Sequence, residues 1–238
     1  MSSSLLEIKQ EELIMFAEKT IRWSGIALAL GGIFVTLFWI LHPEESILLT
    51  DPDRYQREHL LDVIGTMLLI PGLAGLYARL ANRTRWLGFT AFLLTFFPML
   101  VLVGISVVDF LIWPSIARVQ PDLILTAEGE FIQTNGPFSA TISLIVPFSM
   151  VGALGFILLG IAVWRSESIA PRWVGLLLAI SGPAYMIGPG FVSHGLLLPN
   201  LLVFAPFAVT TLLIGMSILN HPEEPMQRSV TVRAEPIS

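Results

Sequence analysis

The tetrapeptide Arg-Trp-x-Gly occurs three times in the chain, and each copy stands at the start of a long apolar segment. The anchoring residues of the three copies are Arg22 and Trp23, Arg85 and Trp86, and Arg172 and Trp173. An arginine among lipid headgroups followed by a tryptophan at the interface is typical of the end of a transmembrane helix. Three such ends predict three helical hairpins of the same orientation, and hence six transmembrane helices.

The composition supports a membrane protein. Of the 238 residues, 54% are hydrophobic and only 13% are charged, whereas a soluble domain carries about a quarter charged residues. A helix needs roughly 20 mostly apolar residues to cross the hydrocarbon layer. The segments that satisfy this length are 22–42, 59–80, 86–113, 141–164, 172–197 and 199–219. The sequence therefore predicts an all-α membrane protein with one six-helix transmembrane domain at residues 21–220.

The two ends of the chain differ from this domain. Ser4 and Glu7 fit a capping box, and the apolar residues that follow could form one face of a helix. Residues 1–20 are therefore predicted to form a short amphipathic helix on the cytoplasmic surface. Residues 221–238 are polar and rich in proline, and we predict a disordered cytoplasmic tail.

The distribution of positive charge predicts the orientation. With the N-terminus inside, ten of the 13 lysines and arginines fall on the cytoplasmic side, and only Arg54, Arg57 and Arg118 fall outside. This bias predicts a multi-pass protein of the bacterial inner membrane with both termini cytoplasmic. A net charge of −5 argues against a nucleic-acid partner. Membrane lipids and other membrane subunits are the expected partners.

Two short segments carry a family resemblance. His42-Pro43 follows the first predicted span, and the second contains Pro-Gly-Leu-Ala-Gly-Leu-Tyr at residues 71–77. With these segments the chain resembles small six-span bacterial inner-membrane proteins, a group that brings no assigned activity. The resemblance implies the six-span fold and nothing about chemistry.

The hairpins also resemble one another. Predicted odd-numbered spans end near His42, Asp109 and His194, and even-numbered spans contain Gly75, Gly160 and Gly215 near the inner side. This pattern predicts an internal repeat of three parallel units. The alternative is that any inner interface favours arginine, tryptophan and glycine.

Prolines interrupt every predicted span except the first. They are Pro71, Pro98, Pro147, Pro183 and Pro206. Span five is the most interrupted, and irregular backbone at membrane depth persists only where it is buried in protein or lines a wet cavity. We therefore predict a cavity beside span five, with Ser181, Tyr185, Ser193 and Asn200 as candidate lining residues. The alternative is that the kinks only shape the bundle.

Ionisable residues gather on the predicted outer side. They are His42, His59, Asp62, Asp109 and His194. Asp62 follows His59 by three residues, so both face the same side of a helix. An ionisable residue in an apolar span is costly unless it is paired or hydrated, which makes each a candidate for function.

Several chemistries remain open for this group. Imidazoles and carboxylates suit zinc or another divalent metal, which would activate water for hydrolysis of a lipid or an amide. A haem or pigment ligated by histidine is less favoured, because these histidines lie near the helix ends. The chain has no cysteine, which excludes thiolate sites. In the ordinary alternative, Asp62 pairs with Arg57 and Asp109 pairs with Arg118.

The sequence does not name an activity or a catalytic residue. It favours a non-catalytic protein, either a subunit of a membrane assembly or a binder of a lipid-like ligand in an outer-half cavity. A metal-dependent membrane hydrolase and a small transporter are the alternatives.

Overall fold

The structure is a computed structural model that describes residues 3–42, 46–123, 137–166, 169–188 and 197–220. Within these ranges the chain is helical and contains no strand. The α-helices are α1 (Ser3–Leu41), α2 (Ile47–Thr50), α3 (Pro52–Val107), α4 (Trp113–Val119), α5 (Pro137–Ser166), α6 (Arg172–Ile187) and α7 (Leu197–Asn220). A π-helical turn at Val108–Ile112 joins α3 to α4, and a 3-10 turn at Pro121–Leu123 follows.

Four apolar helical stretches are long enough to cross a membrane. They are Glu11–Leu41, Pro52–Val119, Ser143–Ser166 and Leu197–Asn220. Helix α6 is equally apolar in character but shorter, with 16 residues. The prediction of an all-helical chain with several membrane-length apolar helices is confirmed.

Helix α3 is two helices joined at Arg85. Its 56 residues would extend about 84 Å as one straight helix, far more than a bilayer needs. Arg85 has φ 46° and ψ −121°, outside the helical region. We call residues 52–84 the first arm and residues 86–107 the second arm.

The two arms lie side by side and run in opposite directions. The rings of Tyr77 and Phe92 stack with their centroids 4.7 Å apart. Further from Arg85, the Ser106 hydroxyl donates a hydrogen bond to the Asp62 carboxylate. In both pairs the two residues lie at nearly the same sequence distance before and after residue 85. The chain therefore reverses at the second Arg-Trp-x-Gly copy.

The reversal at Arg85 leads to a stability prediction. Its φ and ψ match the first central position of a type II′ turn, which glycine adopts without steric cost. Arg85→Gly should therefore raise the free energy of unfolding by about 1–3 kcal/mol, the usual cost of such a conformation. Thermal unfolding in detergent measures this effect. Arg85→Ala controls for the lost charge, and an equal melting temperature for the two variants would argue against the strain.

The helices form a closed ring. In order, α1, the first arm, the second arm, α5, α6 and α7 each pack on the next, and α7 packs on α1. Gly65 lies against Val35 and Gly72 lies against Leu28, so α1 and the first arm are antiparallel. The first and last long helices are thereby neighbours, which the sequence did not predict.

Glycines of the motif allow close contact between neighbouring helices. A Cβ atom on Gly25 would lie 2.7 Å from the carbonyl oxygen of Gly215 in α7. A Cβ atom on Gly175 would lie 2.7 Å from the carbonyl oxygen of Gly160 in α5. The two backbones touch at both places, as small residues permit in membrane helices. The second copy differs, because Gly88 faces Thr84 of the preceding turn.

The three motif copies lie at one end of the bundle, which we call the motif end. The Arg83 guanidinium donates to the Ser166 carbonyl at 3.1 Å, and the Ser217 hydroxyl donates to the Ile169 carbonyl. The motif tryptophans are exposed at the surface, Trp23 by 58%, Trp86 by 77% and Trp173 by 56%. The opposite end, which carries His42, His59 and Asn200, is called the histidine end.

The N-terminal helix differs from the prediction. Residues from Ser3 onward do not form a separate surface helix but continue into α1 without a break as far as Leu41. The 39 residues give a helix about 58 Å long. The physical reason is the absence of any glycine or proline between residues 5 and 24, so nothing stops the helix from propagating.

The fifth predicted span, residues 172–197, is described only in part. Helix α6 covers Arg172–Ile187. Residues 189–196 lie outside the described part of the chain, as does the predicted disordered tail at 221–238.

A candidate ligand site at the histidine end

Two of the predicted histidines lie together. The ring centroids of His42 in α1 and His59 in the first arm are 5.4 Å apart. Trp39 stacks on His42 at 5.0 Å, and Tyr55 stacks on His59 at 3.8 Å. The antiparallel packing of α1 against the first arm explains this meeting, since His42 follows the end of one and His59 lies near the start of the other.

His59 is held in one orientation. Its side chain is 2% exposed, and its Nδ1 atom lies 2.8 Å from the carbonyl oxygen of Tyr55, one helical turn earlier. A carbonyl only accepts hydrogen bonds, so Nδ1 is the donor. In the neutral imidazole this leaves Nε2 as an acceptor.

Asp62 lies one turn deeper in the same helix. Its side chain is 9% exposed, and its Oδ2 atom accepts the hydrogen bond from Ser106 of the second arm. The two arms of α3 thus meet at one acid.

No cation balances this acid among the described residues. The ion pairs at the histidine end join Arg54 to Glu58 at 2.8 Å and Arg118 to Asp53 at 2.5 Å. Arg57 is exposed, and the ion pair between Arg57 and Asp62 that was one of the sequence-based alternatives is not found among the described residues. A buried carboxyl without a cation is costly in an apolar interior, which points to a role beyond folding.

Other buried oxygen atoms lack hydrogen-bond donors among the described residues. Asn200 of α7 is 3% exposed, and its Nδ2 atom donates to the Trp39 carbonyl at 3.1 Å, but its Oδ1 atom accepts no hydrogen bond from the described residues. The Ser181 hydroxyl of α6 is 1% exposed and has no partner within the described chain. An unsatisfied buried polar atom costs about 1–3 kcal/mol. Such atoms need donors that the described part of the chain does not supply.

Aromatic rings lie below the polar group, towards the motif end. Tyr185 stacks on Phe207 with centroids 4.6 Å apart, and Phe207 meets Phe156 edge-on at 5.4 Å. Phe156 and Phe207 are fully buried. They give the polar group an apolar floor made by α5, α6 and α7.

The other predicted site residues are placed differently. Asp109 lies in the π-helical turn and is half-buried. Arg118 binds Asp53 and, at 2.9 Å, Gln56. Ser193 and His194 lie outside the described residues. Of the predicted cavity residues, Ser181, Tyr185 and Asn200 are buried.

The predicted metal set is not assembled in the described part of the chain. No three histidine, aspartate or glutamate side chains lie close enough there to hold an ion together. This result concerns His42, His59, Asp62 and Asp109, whereas a set that includes His194 remains a prediction.

Sequence reasoning missed the partners of these residues. Trp39 precedes His42 by three residues and Tyr55 precedes His59 by four, so helical spacing could have placed each pair on one face. Ser106 could be assigned to Asp62 only once the chain reversal at Arg85 was known.

The arrangement suits binding better than bond cleavage. Ser106 donates to the Asp62 carboxylate and to the Leu102 carbonyl at 2.9 Å, and no described histidine is hydrogen-bonded to its oxygen. The buried carboxyl of Asp62 and the buried amide oxygen of Asn200 could instead receive a ligand with hydrogen-bond donors. Comparisons with protein-family models, with curated protein sequences and with solved structures give no match for this chain.

Proposed function

We propose that this is a six-span protein of the bacterial inner membrane that binds a lipid-like ligand inside the bundle, at its histidine end. The observation that carries the proposal is the burial of Asp62, a carboxyl without a cationic partner in the described chain. The ligand supplies the missing donors. The protein acts as a binder and not as a hydrolase.

The fold supports the six-span topology. Helix α3 reverses at Arg85 and so provides two crossings, and α6 adds an apolar helix between α5 and α7. The three motif copies at one end fit three hairpins of the same orientation. With lysines and arginines concentrated at that end, both termini are cytoplasmic and the histidine end faces outward.

The polar atoms define the ligand's headgroup. Asp62 and the Oδ1 atom of Asn200 are both hydrogen-bond acceptors. A primary amine offers three N–H donors and the positive charge that the carboxyl lacks. The aromatic floor favours an apolar chain next to this headgroup, so the ligand class is an amphiphile with an amino headgroup.

The proposal is tested with two amphiphiles of equal chain length and opposite charge. Dodecylamine should raise the melting temperature of the purified protein. At a dodecylamine concentration one hundred times the dissociation constant, binding should add about 2.7 kcal/mol to the free energy of unfolding. Dodecanoate should have no such effect, because its carboxylate would meet Asp62. The measurement is thermal unfolding in a non-ionic detergent.

Matched acid variants locate the effect. Asp62→Asn should abolish the stabilisation by dodecylamine, whereas Asp122→Asn, which changes an exposed acid in the Pro121–Leu123 turn, should retain it. Equal stabilisation of both variants would show that the amine acts on the micelle or on the surface, and the proposed site would be rejected.

A further inference from the structure

A groove opens between α1 and the first arm at the motif end. Its volume is about 460 Å³, within the usual range of small-molecule sites. It is lined by Thr20, Ile21, Trp23, Ser24 and Ala27 of α1 and by Pro71, Ala74, Gly75 and Ala78 of the first arm. This groove lies at the opposite end of the bundle from the candidate ligand site.

Small residues create the groove. Ala74 and Ala78 are exposed on the first arm, and Gly75 packs directly on Ser24 at the contact between the helices. The exposed indole of Trp23 forms one wall. Two helices therefore touch along a narrow line, with space left beside it.

The surface of the groove is apolar although it includes two hydroxyls. The Thr20 hydroxyl donates to the Phe16 carbonyl at 2.8 Å, and the Ser24 hydroxyl donates to the Ile21 carbonyl at 2.6 Å. Both groups are thus occupied by the backbone of α1 itself. An alkyl chain in the groove would leave neither hydroxyl unsatisfied.

Positive charge lies at the motif-side mouth of the groove. Lys19, Trp23 and Ala27 follow one another at intervals of four residues, so they form one stripe along α1. Lys19 and Arg22 are exposed, and Glu18 is the half-buried acid of the same turn. On the facing arm, the exposed Asn82 lies one turn beyond Ala78. A polar, net positive mouth thus continues into an apolar groove.

We propose that this groove holds an acyl chain of an anionic phospholipid, with the lipid phosphate bound by Lys19 and Arg22. The apolar lining matches the chain, and the two cations match the headgroup at the depth where Trp23 marks the interface. The inference is independent of the amino-headed ligand, which binds at the other end.

Native mass spectrometry of the detergent-purified full chain tests the proposal. Phosphatidylglycerol and phosphatidylcholine with identical chains are titrated, and the affinity of the first bound lipid is compared. The wild type should prefer phosphatidylglycerol. A Lys19→Gln and Arg22→Gln double variant should bind it about thirtyfold more weakly, the effect of two cations near a headgroup, with phosphatidylcholine unchanged.

Further variants separate the groove from the rest of the surface. Ala78→Phe fills the groove from an exposed position and should weaken both lipids, whereas Arg172→Gln changes another motif arginine and should weaken neither. Asp62→Asn should leave lipid binding unchanged, which keeps this test distinct from that of the proposed function. Equal wild-type affinity for the two lipids, or a dimer that Ala78→Phe dissociates, would overturn the proposal.

Discussion

Gly160→Ala should destabilise the folded protein by about 2 kcal/mol, although alanine is the better helix former. The added Cβ atom would lie 2.5 Å from both the Gly175 carbonyl oxygen and the Ala179 nitrogen. Both neighbours are backbone atoms of α6, so the clash can be relieved only by moving a helix. Thermal unfolding in detergent should show a melting temperature lower by about 4–8 °C.

Gly104→Ala is the matched control. A Cβ atom at Gly104 meets no other group within 4 Å, and the residue lies in the second arm of α3. This variant should be neutral or stabilised by up to about 1 kcal/mol, because alanine favours the helix. If the two variants unfolded at the same temperature, this would contradict the close backbone contact between α5 and α6 at Gly160.

The second large effect is expected at Asp62. Asp62→Leu should stabilise the ligand-free protein by about 1–4 kcal/mol, because a buried carboxyl is replaced by an apolar side chain of similar size. Ser106 loses one acceptor but keeps its bond to the Leu102 carbonyl, so no donor is orphaned. The same variant should no longer respond to dodecylamine. A gain in stability with a loss of binding is the signature of a residue retained for function.

Ser106→Ala tests the hydrogen bond to Asp62 without removing the buried carboxyl. The acid remains buried but loses its only hydrogen-bond donor among the described residues, and stability should fall by about 1–3 kcal/mol. Should Asp62→Leu also lower the melting temperature, Asp62 would be a structural residue, and the proposed headgroup site would lose its basis.

The helical membrane fold could be predicted because its signals are local. Each Arg-Trp-x-Gly copy marks the start of an apolar segment, and the described chain is helical with several apolar helices of membrane length. The predicted bounds 141–164 and 199–219 lie within a few residues of α5 and α7. The start of α1 could not be predicted in the same way, because a capping box and an amphipathic face do not show whether a helix continues into the next one.

The candidate site was predictable only in part, because part of it depends on tertiary neighbours. His42 and His59 meet across a short connection, so their proximity follows from the first hairpin. The approach of Asn200 to Trp39 depends on the ring closing between α7 and α1, for which no local pattern exists. Asp109 resembled Asp62 as an acid in an apolar segment, but it lies in the π-helical turn and not in the buried group.

In the proposed function, Asp62 receives an amino-headed amphiphile within the bundle. The most direct measurement is mass spectrometry of the organic extract from protein purified out of bacterial membranes, with wild type and Asp62→Asn prepared in parallel. We predict an amine-containing amphiphile that is enriched in the wild-type extract and missing from that of the variant. Identical extracts would contradict the claim.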